Sequence, residues 1–396
     1  MVSSHGDDPS SGGVERLLRD LTGVLSASGI HVAYLQAFPQ RGGVGELERT
    51  VLHRTDWRDD RGRRLKNHVG DVLSARRGDL ETAIRSHRPD VVHTHNLPGI
   101  GTVVWDVCRR LGLPVVHSLH DYYLLCPRVT LMSRDGDPCR PSPLLCGMRT
   151  RLMARWASAV SQVIGVSQYV LDVHRHLFTG AHLQVVRHPL DASSSAGLRA
   201  PRGRPEVVGY IGSLERIKGV QLLLEAAPRI EESGLTLRIA GDGSLRDDVA
   251  AAARSTDVIW DGPVTGEPKR RFFEGCDFGI VPSVWAEPGG PTFTMVEWLA
   301  AGRPVLVSSR GGLGEVGDRY PGSSTVEPTV DSIVRSVQTM IEPGRWNEAV
   351  AGARRGGEGK DLEEWGAEHE RIYRSVARGQ PGTVAHVTSV EARCAD

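Results

Sequence analysis

The segment 278–317 constrains the fold of this chain most, because it joins two short apolar runs through a glycine-rich loop and a helix. Phe278 to Val281 and Val305 to Val307 have the composition and length of strands that are buried on both faces. Between them, Glu287 to Pro291 forms a Gly/Pro-rich loop, and a helix is predicted from about Thr292 until Gly302 stops it. The order strand, helix, strand predicts a parallel sheet.

The same loop and helix start predict an anion site. Glycines allow the backbone to approach a ligand closely, and the free amides and dipole of a helix N-terminus favour negative charge. Glu287 and Glu297 lie beside this site, where their carboxylates can accept hydrogen bonds from sugar hydroxyls. We therefore expect a sugar nucleotide to bind here.

Length and composition limit the number of domains and the class of protein. A chain of 396 residues is too long for one ordinary core, which predicts two domains. The 48 basic and 48 acidic residues give no net charge, so the basic bias of a nucleic-acid-binding protein is missing. No apolar run approaches the ~20 residues that span a membrane. The N-terminus is polar, unlike a signal peptide, so we expect a cytoplasmic protein.

Cysteine usage fits that compartment, in which the six thiols are expected to be free. Cys126, Cys139 and Cys146 cluster in one loop-like stretch, but their spacing matches no common zinc pattern. We interpret them as partly buried thiols. Asp135 and Asp137 form a DxD pair, which can hold a divalent metal, yet the surrounding RDGDPC is typical of a turn. No metal site is predicted.

Residues 1–190 alternate helical patterns with short apolar runs, which predicts a first parallel-sheet domain. A helix is expected over 13–29, and strands are expected near 31–38, 91–95, 115–119 and 162–166. Only Val2 to Ser4 precede the first helix, so the first strand is expected to be a stub. Gly12 and Gly13 lie just before this helix, where backbone could approach a phosphate, but from these glycines alone an ordinary turn is the preferred interpretation.

Polar side chains follow two of these predicted strands. His95 and Asn96 come after the run at 91–95, and His120 and Asp121 come after the run at 115–119. Ligands bind beyond the carboxyl ends of parallel strands, so these residues are candidates for lining a crevice. Plain loop chemistry is the alternative explanation.

A Ser/Gly/Pro/Arg-rich linker is predicted at 191–205, and a second alternating series follows over 206–360. Its first turn, GSLERIKGV, presents Gly212, Arg216 and Lys218, and a lysine is a compact charge suited to phosphate. Gly241 opens a second glycine turn. A helix is expected over 361–377, whose return to the first domain is left open, and 378–396 is expected to be a flexible tail.

In this order the motifs resemble the GT-B class of glycosyltransferases, most closely the retaining family 4 enzymes, also called glycosyl transferases group 1. The pattern G-x-L-x-x-x-K-G appears as Gly212 to Gly219, and G-x-G appears as Gly241 to Gly243. The paired-glutamate motif followed by A-x-G-x-P-V appears as Glu287 to Val305. In the first half, PVVHSLHD is similar to the family's strand end, and Gly165 to Ser167 to its GVS. The resemblance implies an α/β GT-B fold, in which two Rossmann-like domains with parallel sheets face each other across a cleft.

The resemblance also implies roles for individual residues. The second domain holds a nucleotide diphosphate sugar, with Lys218 on the diphosphate and Glu297 on the ribose. Glu287 and the amides near Gly290 to Thr292 hold the transferred sugar and the distal phosphate, and His120 lines the reaction centre. The catalytic candidates are thus His120, Glu287 and Lys218. The acceptor-side candidates are His95, Asn96 and Asp121, and the donor-binding candidates are Gly13, Gly212, Arg216, Lys218, Gly241, Val264 (near the base), Gly290, Pro291, Thr292 and Glu297.

The implied reaction retains the anomeric configuration by front-face displacement and needs neither metal nor cofactor. A UDP-sugar is the expected donor, with a GDP-sugar as the alternative. The acceptor is a hydroxyl or amine of a small molecule, a lipid-linked sugar or a saccharide. A membrane surface is conceivable as a partner but is not indicated, because the arginines at 149, 151 and 155 fit a solvated helix face. The oligomeric state is left open.

Two departures from the family pattern keep other functions open. Ser213 stands where the family usually has Arg, and Arg216 is a candidate to replace its charge. The loop after Glu287 is two residues longer than usual. These departures favour a non-catalytic GT-B protein that binds a nucleotide sugar or a partner enzyme as the alternative function. A sugar-nucleotide epimerase is a third, weaker alternative.

Overall fold

The structure, a computed structural model, describes residues 1–4, 13–38, 48–52, 69–73, 76–133, 136–139, 143–189, 201–356 and 362–379. Gly12, Asp135, most of the predicted linker and the tail from 380 onward lie outside these ranges. Asp137 lies in a tight turn, where its backbone amide bonds to Ser133 Oγ at 3.2 Å.

The first domain is built on a parallel sheet of seven strands in the order β3-β2-β1-β4-β5-β6-β7. The first strand is as short as predicted, and it lies inside the sheet, where Val2 pairs with Leu35 on one side and Thr94 on the other. The strands are β1 (Val2–Ser3), β2 (Tyr34–Gln36), β3 (Arg49–Val51), β4 (Val92–Thr94), β5 (Val115–Leu119), β6 (Val160–Gly165) and β7 (His182–Val185).

Helices pack on this sheet through apolar residues at helical spacing. In α1, Leu17, Leu18, Leu21 and Leu25 are all buried, and the chain leaves the helix through Gly29 at φ 78°. The helices of this domain are α1 (Gly13–Ala27), α2 (69–73), α3 (Arg77–His87), α4 (Val103–Arg110), α5 (Pro143–Ala154) and α6 (Gln168–His174).

The second domain is built on a six-stranded parallel sheet in the order β10-β9-β8-β11-β12-β13. The fold predicted from the sequence, two Rossmann-like domains with parallel sheets, is confirmed. The strands are β8 (Val207–Ile211), β9 (Thr236–Ala240), β10 (Val258–Trp260), β11 (Phe278–Val281), β12 (Val305–Ser308) and β13 (Ser323–Val326). The helices are α7 (Val220–Glu232), α8 (Arg246–Ser255), α9 (Gly266–Gly275), α10 (Phe293–Ala300), α11 (Gly311–Val316), α12 (Val330–Met340) and α13 (Pro343–Gly356).

The segment 278–317 forms the middle of this domain as β11, α10, β12 and α11. Thr292 caps α10 by accepting a hydrogen bond from the Met295 amide, and Gly302 follows the helix at φ 64°. The buried Trp298 lies across β8 and β11. A Cβ at Gly209 or Gly279 would come within 2.5 Å or 2.3 Å of its ring, so glycine in these strands makes room for the indole.

The last helix, α14 (Leu362–Ala377), packs on the first domain. Its buried Trp365, Ile372 and Val376 share one apolar cluster with residues of α1. The Tyr373 hydroxyl lies 2.7 Å from His93 Nδ1 in β4. A helix that follows the second domain in sequence is therefore part of the first domain's core.

Candidate active site

The candidate site residues lie at the carboxyl ends of both sheets. His95 follows β4 and His120 follows β5, while Gly212 follows β8 and Gly241 follows β9. Since parallel strands place their carboxyl ends at one edge of a sheet, each domain presents its polar loops at that edge. The two edges face each other, and contacts between the domains define the cleft.

Two helix N-termini meet in this cleft, one from each domain. Gly13 is the first residue of α1, and Phe293 is the first residue of α10. A Cβ on Gly13 would lie 2.8 Å from the Phe293 ring, so a larger residue at position 13 would collide with the opposite domain. Free amides and positive dipole ends from both helices therefore point into one region, which suits an anion.

Lys218 and Glu287 form the charged centre of the donor side. Lys218 Nζ lies 2.7 Å from Glu287 Oε1, and the Ser283 hydroxyl donates to the same oxygen at 2.6 Å. The ammonium also lies 5.0 Å from the centre of the Trp285 ring. The carboxylate and the ring hold the lysine beyond the carboxyl end of β11, although Lys218 and Glu287 are 69 positions apart in sequence.

The long loop after Glu287 packs tightly on the start of α11. The Gly312 amide donates to the Glu287 carbonyl at 2.6 Å, and a Cβ at Gly290 would lie 1.9 Å from the Gly312 carbonyl oxygen. Backbone therefore packs on backbone, which only glycine at position 290 permits. The loop also reaches the first domain, where Ser167 Oγ donates to the Pro288 carbonyl at 2.5 Å. These contacts support the segment Gly290 to Thr292, which leads into α10.

Glu297 is held by two cations that the sequence did not single out. Lys269 Nζ of α9 lies 2.6 Å from Glu297 Oε1, and Arg16 Nη1 of α1 lies 3.0 Å from the same oxygen. Arg16 belongs to the other domain, so this ion pair crosses the cleft. The rarity of lysine in this chain was a usable signal for Lys269. Arg16 carried no comparable signal among many arginines.

Histidines form a buried group behind the cleft. His95 Nδ1 lies 3.1 Å from His120 Nε2, and His188 stacks on the Phe293 ring with centroids 5.0 Å apart. Burial lowers the pKa of His95 and His120 well below the usual range, and lowers that of His188 to about 4. At neutral pH these rings are therefore uncharged hydrogen-bonding groups. His188 was missed, although it follows β7 as His95 follows β4.

The acceptor-side candidates lie along the first domain's edge. Asp121 Oδ1 accepts a hydrogen bond from the Tyr123 amide at 2.8 Å, and burial raises the pKa of Asp121 to about 6. The Asn96 carbonyl accepts from the Ser4 amide at 2.8 Å. A further carboxyl, Asp71, was missed: it accepts from the Tyr123 hydroxyl at 2.6 Å, and burial raises its pKa to about 6.

The remaining donor-side candidates differ in where they point. A Cβ at Gly241 would lie 1.8 Å from the Gly212 carbonyl oxygen, so the two glycine turns are in contact. Val264 follows β10 and packs against the apolar cluster that contains Trp298. Arg216 is exposed and its guanidinium bonds to Gln221. The structure therefore brings Gly212 and Gly241 together, whereas the Arg216 side chain lies beside Gly136 of the first domain.

Comparison with known families decides the class of protein. Residues 11–194 match the sequence profile described as Glycosyltransferase Family 4, and residues 205–342 match that of Glycosyl transferases group 1. The two matches follow one another and cover most of the chain. The chain belongs to the GT-B glycosyltransferases.

Relatives of this glycosyltransferase are distant. An uncharacterized 42.6 kDa protein in the cps region of Klebsiella pneumoniae is 23% identical over 308 residues, which cover 77% of each chain. D-inositol 3-phosphate glycosyltransferase from an Arthrobacter species is 25% identical over 328 residues, covering 76% of this chain and 75% of the relative.

Solved structures agree on the fold of the glycosyltransferase. Sucrose-phosphate synthase from Thermosynechococcus elongatus superimposes with a TM-score of 0.70 at 16% identity, covering 96% of this chain and 98% of the other. HepE of Anabaena, in complex with UDP and glucose, superimposes with a TM-score of 0.64 at 17% identity, covering 94% and 98%.

Three further observations concern other sequence predictions. Within the described ranges, no helix is long and apolar enough to cross a bilayer. The cytoplasmic location stays a prediction. The cysteines at 126, 139 and 146 are free thiols, of which Cys126 is buried. Over the same described part of the chain, no three His, Cys, Asp or Glu side chains form a group that could hold a metal ion.

Proposed function

We propose that this glycosyltransferase moves a sugar from a nucleotide diphosphate sugar to a hydroxyl or amine acceptor, with retention of the anomeric configuration. The observation that carries the proposal is the meeting of two helix N-termini, at Gly13 and Phe293, on the edge where Lys218 and two glutamates lie. Amides, dipoles and a lysine converging from two domains suit a diphosphate, which is the leaving group of such a donor.

On the donor side, two carboxylates are suited to different parts of the ligand. Glu297 lies one turn into α10 and is suited to a ribose hydroxyl. Glu287 lies in the loop after β11, beside Lys218. Lys218 and the amides at the start of α10 stabilise the negative charge that develops on the departing diphosphate. Since these groups are fixed before reaction, they supply positioning and electrostatic stabilisation without a bound metal. A UDP-sugar is the proposed donor, which the solved HepE complex with UDP and glucose supports.

The acceptor side is proposed to be the first domain. The bond between the anomeric carbon and the diphosphate oxygen breaks while the acceptor oxygen bonds to the same face of that carbon. The acceptor proton passes to a diphosphate oxygen, so retention requires no dedicated base from the chain. The uncharged His120 lines this region as a hydrogen-bonding group for the sugar, with His95, Asn96 and Asp121 further along the same edge.

One experiment tests reaction, donor and stereochemistry together. The purified chain is incubated with UDP-glucose, GDP-mannose and other nucleotide sugars, with and without EDTA, alone and with small saccharide, inositol and lipid-linked acceptors. We expect slow donor hydrolysis that EDTA does not abolish, and a product that NMR shows to retain the donor's anomeric configuration. An inverted product contradicts the proposed mechanism. Donor binding without turnover indicates the non-catalytic alternative, and an epimerised donor indicates the epimerase.

A further inference from the structure

An ion-pair cluster crosses the cleft one helical turn away from the proposed diphosphate site. Arg16 Nη1 and Lys269 Nζ both bond to Glu297 Oε1, at 3.0 Å and 2.6 Å. Two cations on one carboxylate leave the cluster with a net positive charge. The Arg16 guanidinium also lies 5.8 Å from the centre of the Phe293 ring, at the first residue of α10. The cluster therefore adds positive charge beside the two helix N-termini.

Arg16 retains unused hydrogen-bonding capacity toward that site. A guanidinium has five N–H donors arranged as a fork, and the bond to Glu297 uses Nη1. The side chain is 39% exposed, and among the described residues Nε and Nη2 make no hydrogen bond. Glu297 Oε2 likewise receives no hydrogen bond from the described residues, so it stays available to a ribose hydroxyl while Oε1 holds Arg16.

The second domain supplies few cations of its own to a diphosphate. Lys218 is engaged with Glu287, Lys269 with Glu297, and Arg216 with Gln221. Ser213, the second residue of the first glycine turn, is neutral. A leaving diphosphate carries at least two negative charges, and lysines that are each paired with a glutamate leave part of that charge without a cationic partner. Arg16 of the opposite domain adds a guanidinium beside the start of α10.

We propose that Arg16 is a donor-binding residue contributed by the first domain. Its Nη1 stays bonded to Glu297, and its free N–H groups bind the diphosphate, so donor binding and closure of the two domains stabilise each other. This inference rests on the proposed function, because it requires a nucleotide diphosphate in the cleft. In this proposal α1 supplies a charged side chain to the diphosphate in addition to its N-terminal amides.

The test compares UDP with uridine, which shares the base and ribose but lacks the phosphates. Affinities of both are measured by calorimetry for the wild-type chain, Arg16→Met and Arg16→Lys. Arg19→Met, an exposed arginine on the same helix, is the matched control. We expect Arg16→Met to weaken UDP about 10- to 100-fold while changing uridine binding by much less. Arg16→Lys should recover part of the UDP affinity, and Arg19→Met should bind UDP like the wild type.

Other outcomes separate this inference from the proposed function. If UDP affinity survives in Arg16→Met, or if UDP and uridine weaken equally, Arg16 acts only on domain packing and the inference is wrong. The proposed function stands in that case. If the wild-type chain binds none of UDP, GDP and ADP, the proposed function fails and the inference fails with it. Thermal unfolding of each variant in the absence of nucleotide verifies that it is folded.

Discussion

Replacing Lys218 with Met separates the lysine's role in donor binding from its role in the resting structure. Met keeps the length of the side chain but removes the ammonium that lies 2.7 Å from Glu287 Oε1. If that ammonium binds the diphosphate, the variant loses a hydrogen bond between charged groups. Such bonds contribute about 1.5–3 kcal/mol, so the dissociation constant for UDP should rise about 10- to 150-fold.

The same change should lower the free energy of unfolding. Glu287 would lose its cation while its side chain stays 9% exposed, and only the Ser283 hydroxyl, at 2.6 Å, would remain on Oε1. Removing one partner of a fully buried ion pair costs about 3–5 kcal/mol. The Lys218 side chain is 28% exposed, which weakens the pair, and we therefore expect a loss of about 1–3 kcal/mol.

A second substitution distinguishes the two effects. Glu287→Gln removes the carboxylate, so the double variant Lys218→Met/Glu287→Gln contains no unpaired charge. Its free energy of unfolding should therefore recover most of the loss, whereas its affinity for UDP should stay low. Urea unfolding measures the first quantity and calorimetry with UDP the second. Arg216→Met is measured beside it, because Arg216 is the neighbouring donor-binding candidate and bonds to Gln221.

Two results would refute this reasoning. If Lys218→Met binds UDP as tightly as the wild-type chain, the diphosphate lies elsewhere. If the double variant recovers both stability and UDP affinity, the lysine serves only to neutralise Glu287. A loss of UDP affinity in Arg216→Met would show that Arg216 also binds the donor.

Three further predictions test other parts of the structure. Gly13→Ala places a methyl group 2.8 Å from the Phe293 ring, so we expect weaker UDP binding by calorimetry with a melting temperature near that of the wild type; unchanged affinity would show that the cleft does not close there. Trp365→Ala should cost about 3–5 kcal/mol in urea unfolding because the indole is buried against α1, with the exposed Arg371→Ala as control, and a loss equal to that of the control would mean that α14 is not part of the core. The melting temperature should be lower at pH 5.5 than at pH 7.5, and a higher one would contradict the burial of the histidines. A buried histidine with a lowered pKa is harder to protonate in the folded chain than in the unfolded chain, where its pKa is about 6.5. The free energy of unfolding therefore falls as the pH drops below about 6.5, by up to ~1.4 kcal/mol per pH unit for each such histidine. The raised pKa values of Asp71 and Asp121, about 6, act in the opposite direction between about pH 4 and 6 but involve fewer groups. The histidines with lowered pKa are His93, His95, His117, His120, His174 and His188.

The sequence by itself determined the fold and most of its elements, although the strands β3, β7 and β13 were not predicted. Each strand of the segment 278–317 is a short apolar run, and both ends of α10 carry a local signal, the Thr292 cap and Gly302. These preferences act within a few residues, so they can be identified along the chain. The alternation of strands and helices then permits few arrangements other than parallel sheets. The candidates at strand ends, such as His120, follow from the same logic.

Only the tertiary structure decided which side chains meet. Arg16 and Glu297 are 281 positions apart, and no local preference links an arginine in one helix to a glutamate in another domain. His188 and Asp71 were missed for the same reason, since burial and partners depend on packing between elements. Arg216 lies in the predicted turn, but only the structure shows that its guanidinium bonds to Gln221 and that its side chain lies beside Gly136 of the first domain. Local energies fixed the backbone elements, and long-range packing fixed the charges that line the cleft.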